Sequence, residues 1–256
     1  MNSVVLMVIT LLDAVLYFAA AFFISASKTK KLSNIFYAAA TGINLFLVIR
    51  NAVLNGYVPF VSMYQVLTFL GVTMTISAFY MCFIKKQMVL LKFFPFISGV
   101  ILIGVGFMSN NGAWHFPPAL DSPFFVPHVL MYMLSYTLCA ASFAACLFGL
   151  IKKEQKEQYD GACVLLVRTA VPFMFTGMLL GAVWANEVWG AFWSWDIKES
   201  FSLVTLLLYS GYLHTVKVKK FGLISKILLI LGLTALAFTL LFVNMIPSES
   251  LHVYSQ

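Results

Sequence analysis

Residues 4–26 read V-V-L-M-V-I-T-L-L-D-A-V-L-Y-F-A-A-A-F-F-I-S-A, and Lys28, Lys30 and Lys31 follow almost at once. About 20 predominantly apolar residues cross the hydrocarbon of a bilayer as a helix, so this run predicts a membrane span. A secretory signal peptide would carry its basic residues ahead of the apolar stretch. Here they come after it. Basic residues flanking spans favour the cytoplasmic side, which places the N-terminus outside and the three lysines inside.

Seven further apolar runs continue the pattern, at 33–54, 64–84, 93–109, 128–151, 163–185, 199–216 and 223–245, the fourth of them short. The sequence predicts an all-α bundle of eight transmembrane helices in one domain, 1–256. Composition agrees. Hydrophobic residues make up 62% of the 256 and charged residues 10%, with a mean hydropathy of +0.95. A soluble domain is about 45–50% apolar and about 25% charged, and one of this size has no interior able to hide so much apolar surface. The net charge of +7 does not point to nucleic acid. Its lysines sit in short clusters between apolar runs: Lys28, Lys30 and Lys31; Lys85, Lys86 and Lys92; Lys152, Lys153 and Lys156; Lys217, Lys219, Lys220 and Lys226. Arg168 lies near that side, and only Arg50 and Lys198 fall near the other. With eight spans this asymmetry gives an N-out, C-out topology. Cys82, Cys139, Cys146 and Cys163 all fall inside apolar runs. None forms a C-x-x-C pair, which excludes a zinc site or thiol redox motif of that type, and they read as packing residues.

The topology sends four segments outward: 55–63, 109–127, 184–198 and the tail 246–256. The third is the most informative. Residues 184–199 read W-A-N-E-V-W-G-A-F-W-S-W-D-I-K-E and hold Trp184, Trp189, Trp193 and Trp195, four of the five tryptophans. Tryptophans at a helix end can form an interfacial belt, but a belt spreads over many helix ends. Crowding into one loop favours a platform for a flat aromatic ligand. Asp196 and Glu199 precede an apolar run with capping-box spacing, a role compatible with holding that loop in shape. Of the four histidines, His115, His128 and His252 lie outside, where an imidazole could ligate haem iron. His128 follows Pro127 at a helix start, a position that disfavours the imidazolium. His252 lies in the tail past Pro247; it is either a solvated tail residue or a partner of the tryptophan loop. His214 falls in the seventh run, about 22 Å deep at 1.5 Å per residue. It is either an interfacial residue or, as ionisable groups within spans generally are, a functional one.

Residues 189–200, W-G-A-F-W-S-W-D-I-K-E-S, closely resemble the tryptophan-rich signature of the haem-handling cytochrome c assembly family, whose branches are CcsA, ResC, CcmC and CcmF. The family pattern is W-G-x-x-W-x-W-D-P-K-E, and Ile197 stands where proline is usual. The eight-span layout is similar to that of CcsA. So are His128 in S-P-F-F-V-P-H-V, His252 in L-H-V-Y and His214 in G-Y-L-H. P-F-V-S-M-Y-Q at 59–65 resembles a family loop, with Gln65 where glutamate is more usual.

The resemblance implies a subunit of a system II cytochrome c synthase in a bacterial cytoplasmic membrane. It implies a separate CcsB- or ResB-type partner and apocytochrome c bearing C-x-x-C-H as the acceptor of haem b, whose vinyl groups join the two thiols. His128 and His252 would ligate an outer haem lying against Trp184, Trp189, Trp193, Trp195 and Asp196. His214 would serve an inner-leaflet haem shared with the partner. The alternatives are a haem carrier or regulator of the same superfamily, and a transporter of another aromatic or anionic solute.

Overall fold

A computed structural model describes residues 3–25, 30–108 and 116–242. All regular structure among them is helical. The physical reason is the solvent: a backbone in lipid must satisfy its own hydrogen bonds, and a helix does so within one segment. The described residues pack as two compact units, one up to Pro117 and one from Pro118.

The first unit holds α1 (Ser3–Ser25), α2 (Lys30–Asn55), α3 (Met63–Phe79) and α4 (Phe93–Gly106). A π-helical turn, Tyr80–Ile84, prolongs α3, and a 3-10 turn, Met88–Leu90, precedes α4. α1 packs on α2 and α4, and α3 packs on the same two. A Cβ at Gly106 would meet the Leu11 side chain at 2.6 Å, so α1 and α4 approach closely only because that residue is glycine. Ser62 opens α3. Its hydroxyl accepts from the Gln65 N–H, and the Gln65 side chain accepts from the backbone N–H groups of Val61 and Ser62. This capping box does not need the glutamate that the family loop usually carries. Unusually for a membrane bundle, α1 buries Asp13 completely, with neither carboxylate oxygen hydrogen-bonded among the described residues.

The second unit holds α5 (Phe125–Ile151), α6 (Lys156–Trp189), α7 (Ile197–Thr215) and α8 (Gly222–Ala237), with α8 prolonged by a π-helical turn, Phe238–Phe242. Short connections make successive helices antiparallel neighbours. α5 lies along α6 and α7 along α8. The Tyr212 hydroxyl donates to Cys163 Sγ at 3.2 Å, tying α7 to α6. The Ser225 hydroxyl donates to Thr215 Oγ1 at 3.1 Å, tying α8 to the end of α7. The α5–α6 and α7–α8 connections carry the lysines, and the α6–α7 connection carries tryptophan.

All eight expected apolar runs are helical in the residues described. Among the described residues seven segments are long and apolar enough to cross a membrane, making this a multi-pass membrane protein. The eighth helix, α7, is 19 residues long. Lys198, Glu199 and Ser200 at one end and Tyr209, Ser210, Tyr212 and His214 at the other lower its hydropathy. The largest departure is α6. The expected span 163–185 is the middle of a 34-residue helix that runs on to Trp189.

Candidate functional site

His128 lies in the second turn of α5, its backbone N–H donating to Phe124 O at 3.0 Å. Its ring leans on α6. Nδ1 is 2.8 Å from Gly177 O. A carbonyl only accepts, so Nδ1 is the donor, and in a neutral imidazole Nε2 is then the nitrogen that carries the lone pair. Tying off one ring nitrogen in this way sets the tautomer and orientation of a metal-binding histidine. The approach depends on Gly181, where a Cβ would overlap the His128 ring. Tyr132 stands edge-on to that ring at 5.1 Å between centroids, and Trp184 lies tilted by 31° at 5.7 Å.

Trp184 extends the cluster. It is 3% exposed and donates through Nε1 to Ala119 O at 2.9 Å. Phe125 and Trp189 lie 5.2 and 4.9 Å from it, ring centre to ring centre. The segment before α5 is pinned to the end of α6 a second time, because the Ser122 hydroxyl donates to the Glu187 carboxylate. Trp184 and Trp189 are therefore helical, which corrects the expectation of one loop over 184–199. The stretch A-N-E-V holds no helix breaker, so α6 continues until Gly190, which ends it in the left-handed conformation at φ 76°.

The turn between α6 and α7 holds the other two tryptophans. Trp193 and Trp195 stand edge to face at 5.7 Å, interplanar angle 84°. Trp195 is 70% exposed and adopts φ 60°, a left-handed conformation that costs a bulky residue energy and clusters at functional sites. The Trp193 indole N–H is buried with no acceptor among the described residues. Asp196 caps α7 as expected, accepting from the Glu199 N–H at 2.7 Å. Glu199 does more than the capping-box spacing implies. Its Oε2 accepts from Asp196 N–H at 3.4 Å, and also from the Ser194 N–H and hydroxyl at 2.7 and 3.2 Å. One carboxylate thus stitches the turn that displays Trp193 and Trp195.

His214 lies in the last turn of α7 and is exposed. Eighteen residues separate it from Asp196, about 27 Å along a helix, so it belongs to a different site. It lines a cavity of about 420 Å³ with Arg168, Val171, Ser210, Leu213 and Lys217. His115 and His252 lie outside the described residues.

The donor set suits a planar metal macrocycle: an imidazole with one nitrogen already committed, packed aromatic rings, and an indole N–H lacking an acceptor among the described residues. Gly177, Gly181, Ala119, Ser122 and Glu187 hold this arrangement and carry no local sequence signal.

Comparison with known proteins bears on the same residues. The family model "Cytochrome C assembly protein" matches residues 60–252, a stretch that includes His128, the tryptophan segment, His214 and His252. "Cytochrome c biogenesis protein CcsA" of Guillardia theta is 30% identical over 72% of this chain and 74% of its own length. The protein of the same name from Trachelium caeruleum is 27% identical over 82% of this chain and 80% of its own. That of Chlamydomonas reinhardtii is 37% identical over 54% of this chain, which spans only 42% of that relative. Matched by the family model over well more than half its length, the chain belongs to the cytochrome c assembly proteins and, within them, to the CcsA family.

Proposed function

We propose that this protein acts in cytochrome c maturation by holding haem b, its substrate, on the external face of a bacterial cytoplasmic membrane. There the vinyl groups meet the two thiols of an apocytochrome C-x-x-C-H motif. The observation that carries this reading is His128, whose Nδ1 is committed to Gly177 O at 2.8 Å and whose ring lies beside Trp184. His252 is the second iron ligand. Trp189, Trp193, Trp195 and Asp196 complete the outer site, and His214 serves an inner-leaflet site shared with a CcsB- or ResB-type partner, the complex acting as a cytochrome c haem lyase.

The work of the chain is positional. His128 and His252 orient the macrocycle, the tryptophans cover it, and the cap at Asp196 and Glu199 holds the turn. Burial of aromatic surface contributes about 25 cal/mol per Å², and fixing haem beside the incoming thiols lowers the entropic part of the barrier by several kcal/mol. No general base of this chain is required, because the acceptor supplies the nucleophilic thiols.

Ligation by two histidines gives a low-spin spectrum. His128→Ala and His252→Ala should each abolish cytochrome c maturation and shift that spectrum, while His115→Ala should do neither. If His115 proves essential and His252 dispensable, the ligand assignment is wrong even if the haem function is right. His214→Ala should lower haem loading, and added imidazole should partly restore it by filling the open ligand position. Normal haem content in that variant would make His214 an interfacial residue only. A haem carrier without synthase activity would bind haem yet leave cytochrome c maturation intact when deleted. A transporter of another solute would show no Soret band.

A further inference from the structure

The cavity beside His214 is built from one face of α6 and one of α7. Arg168 and Val171 are one turn apart on α6, and Ser210, Leu213, His214 and Lys217 follow one face of α7 and its end. Its volume of about 420 Å³ falls within the range of about 300–1,000 Å³ usual for small-molecule sites. Its lining combines three chemistries: apolar walls at Val171 and Leu213, an imidazole, and two basic side chains. Lys156, lower on α6, is paired with Asp160 at 3.3 Å, whereas among the described residues no carboxylate pairs with Arg168 or Lys217. The side chains of His214, Arg168 and Lys217 are all exposed rather than folded into the core.

A lipid headgroup offers one phosphate and nothing for the imidazole. A flat apolar ligand with a metal at its centre and two carboxylates at one edge uses all three chemistries at once. We propose that Arg168 and Lys217 hold the two propionate carboxylates of haem at the site of His214. This rests on the reading of His214 as an inner haem ligand and adds the residues that orient the macrocycle there. Guanidinium binds carboxylate through two parallel N–H donors, and the lysine ammonium supplies a point charge. The pair would therefore set which edge of the macrocycle faces the lysine-rich end of the helices.

The test removes the charge from each side in turn, the carboxylates by esterification and the cations by substitution. Full-length protein carrying His128→Ala and His252→Ala, so that the outer site does not contribute, is placed in phosphatidylcholine nanodiscs. It is titrated with haem b and with haem dimethyl ester, and the Soret band is followed. The protein with native Arg168 and Lys217 should bind haem b roughly tenfold or more tightly than the ester, the order expected for charged hydrogen bonds. The Arg168→Gln, Lys217→Gln variant should bind the ester as before and lose the preference for haem b. Equal discrimination in both proteins overturns the assignment while leaving His214 as a ligand. A Soret change that persists in His214→Ala, or none at all, overturns the inner site itself and the proposal with it. Loss of discrimination everywhere, together with retention in native mass spectra of phosphatidylglycerol from a parallel phosphatidylglycerol nanodisc preparation by the protein with native Arg168 and Lys217 but not by the Arg168→Gln, Lys217→Gln variant, assigns the pair to lipid phosphate and overturns the proposal.

Discussion

At the scale of single residues, the position of His128 is set by atoms that are not its own. Its ring reaches Gly177 O only because Gly181, one turn further along α6, presents no side chain. Gly181→Ala should push the ring off α6, break the Nδ1 bond, and weaken outer-site haem binding about ten- to a hundredfold, as loss of an orienting partner does. The check is a Soret titration in the His214→Ala background; an unchanged affinity would mean that the ring is positioned by Trp184 and Tyr132 alone. Trp193 permits a second test. Its indole N–H is buried without an acceptor among the described residues, which costs on the order of 1–3 kcal/mol. Trp193→Phe removes the donor and should hold or raise the thermal stability of the empty protein while lowering haem loading. A variant that loses stability instead would show that Trp193 serves packing. His128 was legible from its place after Pro127 on an outward loop. The glycines beneath it were not, because each is one of 15 in the sequence, and what distinguishes Gly177 and Gly181 is the pairing of α5 with α6, which no local pattern encodes.

At the scale of elements, the start of α7 was the most legible part of the site, since Asp196 and Glu199 carry a spacing with a mechanism. Asp196→Ala should cost about 1 kcal/mol of stability through the lost cap and loosen the turn bearing Trp193 and Trp195. Asp196→Asn, which keeps an accepting oxygen, should preserve both. If Asn is as harmful as Ala in haem titrations, the charge rather than the cap is what matters. Ile197 has a matching explanation. It is the first residue of α7, and Asp196 before it is extended, at φ −63° and ψ 167°. Proline favours the first helical position, and it requires an extended residue before it. Ile197→Pro should therefore be accepted without rearrangement and raise stability by about 0.4–1 kcal/mol, measured by thermal unfolding in detergent. A fall in stability would mean that the Ile197 side chain is needed where it packs. The end of α6 was less legible. Four tryptophans in sixteen positions read as one loop, yet two of them, Trp184 and Trp189, belong to the helix. Aromatic crowding carries no information about where a helix stops, and Gly190 does.

At the scale of the whole molecule, eight apolar runs became eight helices because lipid leaves a spanning chain few alternatives. The grouping of those helices into two compact units was not legible, since apolar faces of similar composition do not specify their partners. Orientation across the membrane is a matter of charge rather than packing. The connections after α3, α5 and α7 hold Lys85, Lys86 and Lys92, then Lys152 and Lys153 with Lys156 opening α6, then Lys217, Lys219 and Lys220, while the turn with Trp193 and Trp195 is followed only by Lys198 at the start of α7. Moving one such cluster across the bilayer would oppose the bias that sets topology, and moving one loop inverts every other. The N-terminus and the tail 246–256 should therefore lie outside, with the tryptophans. Labelling can read this directly, because Cys82, Cys139, Cys146 and Cys163 are all buried and should leave little background. Ser255→Cys should react with a membrane-impermeant thiol reagent in intact cells, and Lys219→Cys should react only after the membrane is opened. The reverse pattern would put His128 and the tryptophan turn on the cytoplasmic side, where haem bound to them could not meet an exported apocytochrome, and the proposed function would fall with the topology.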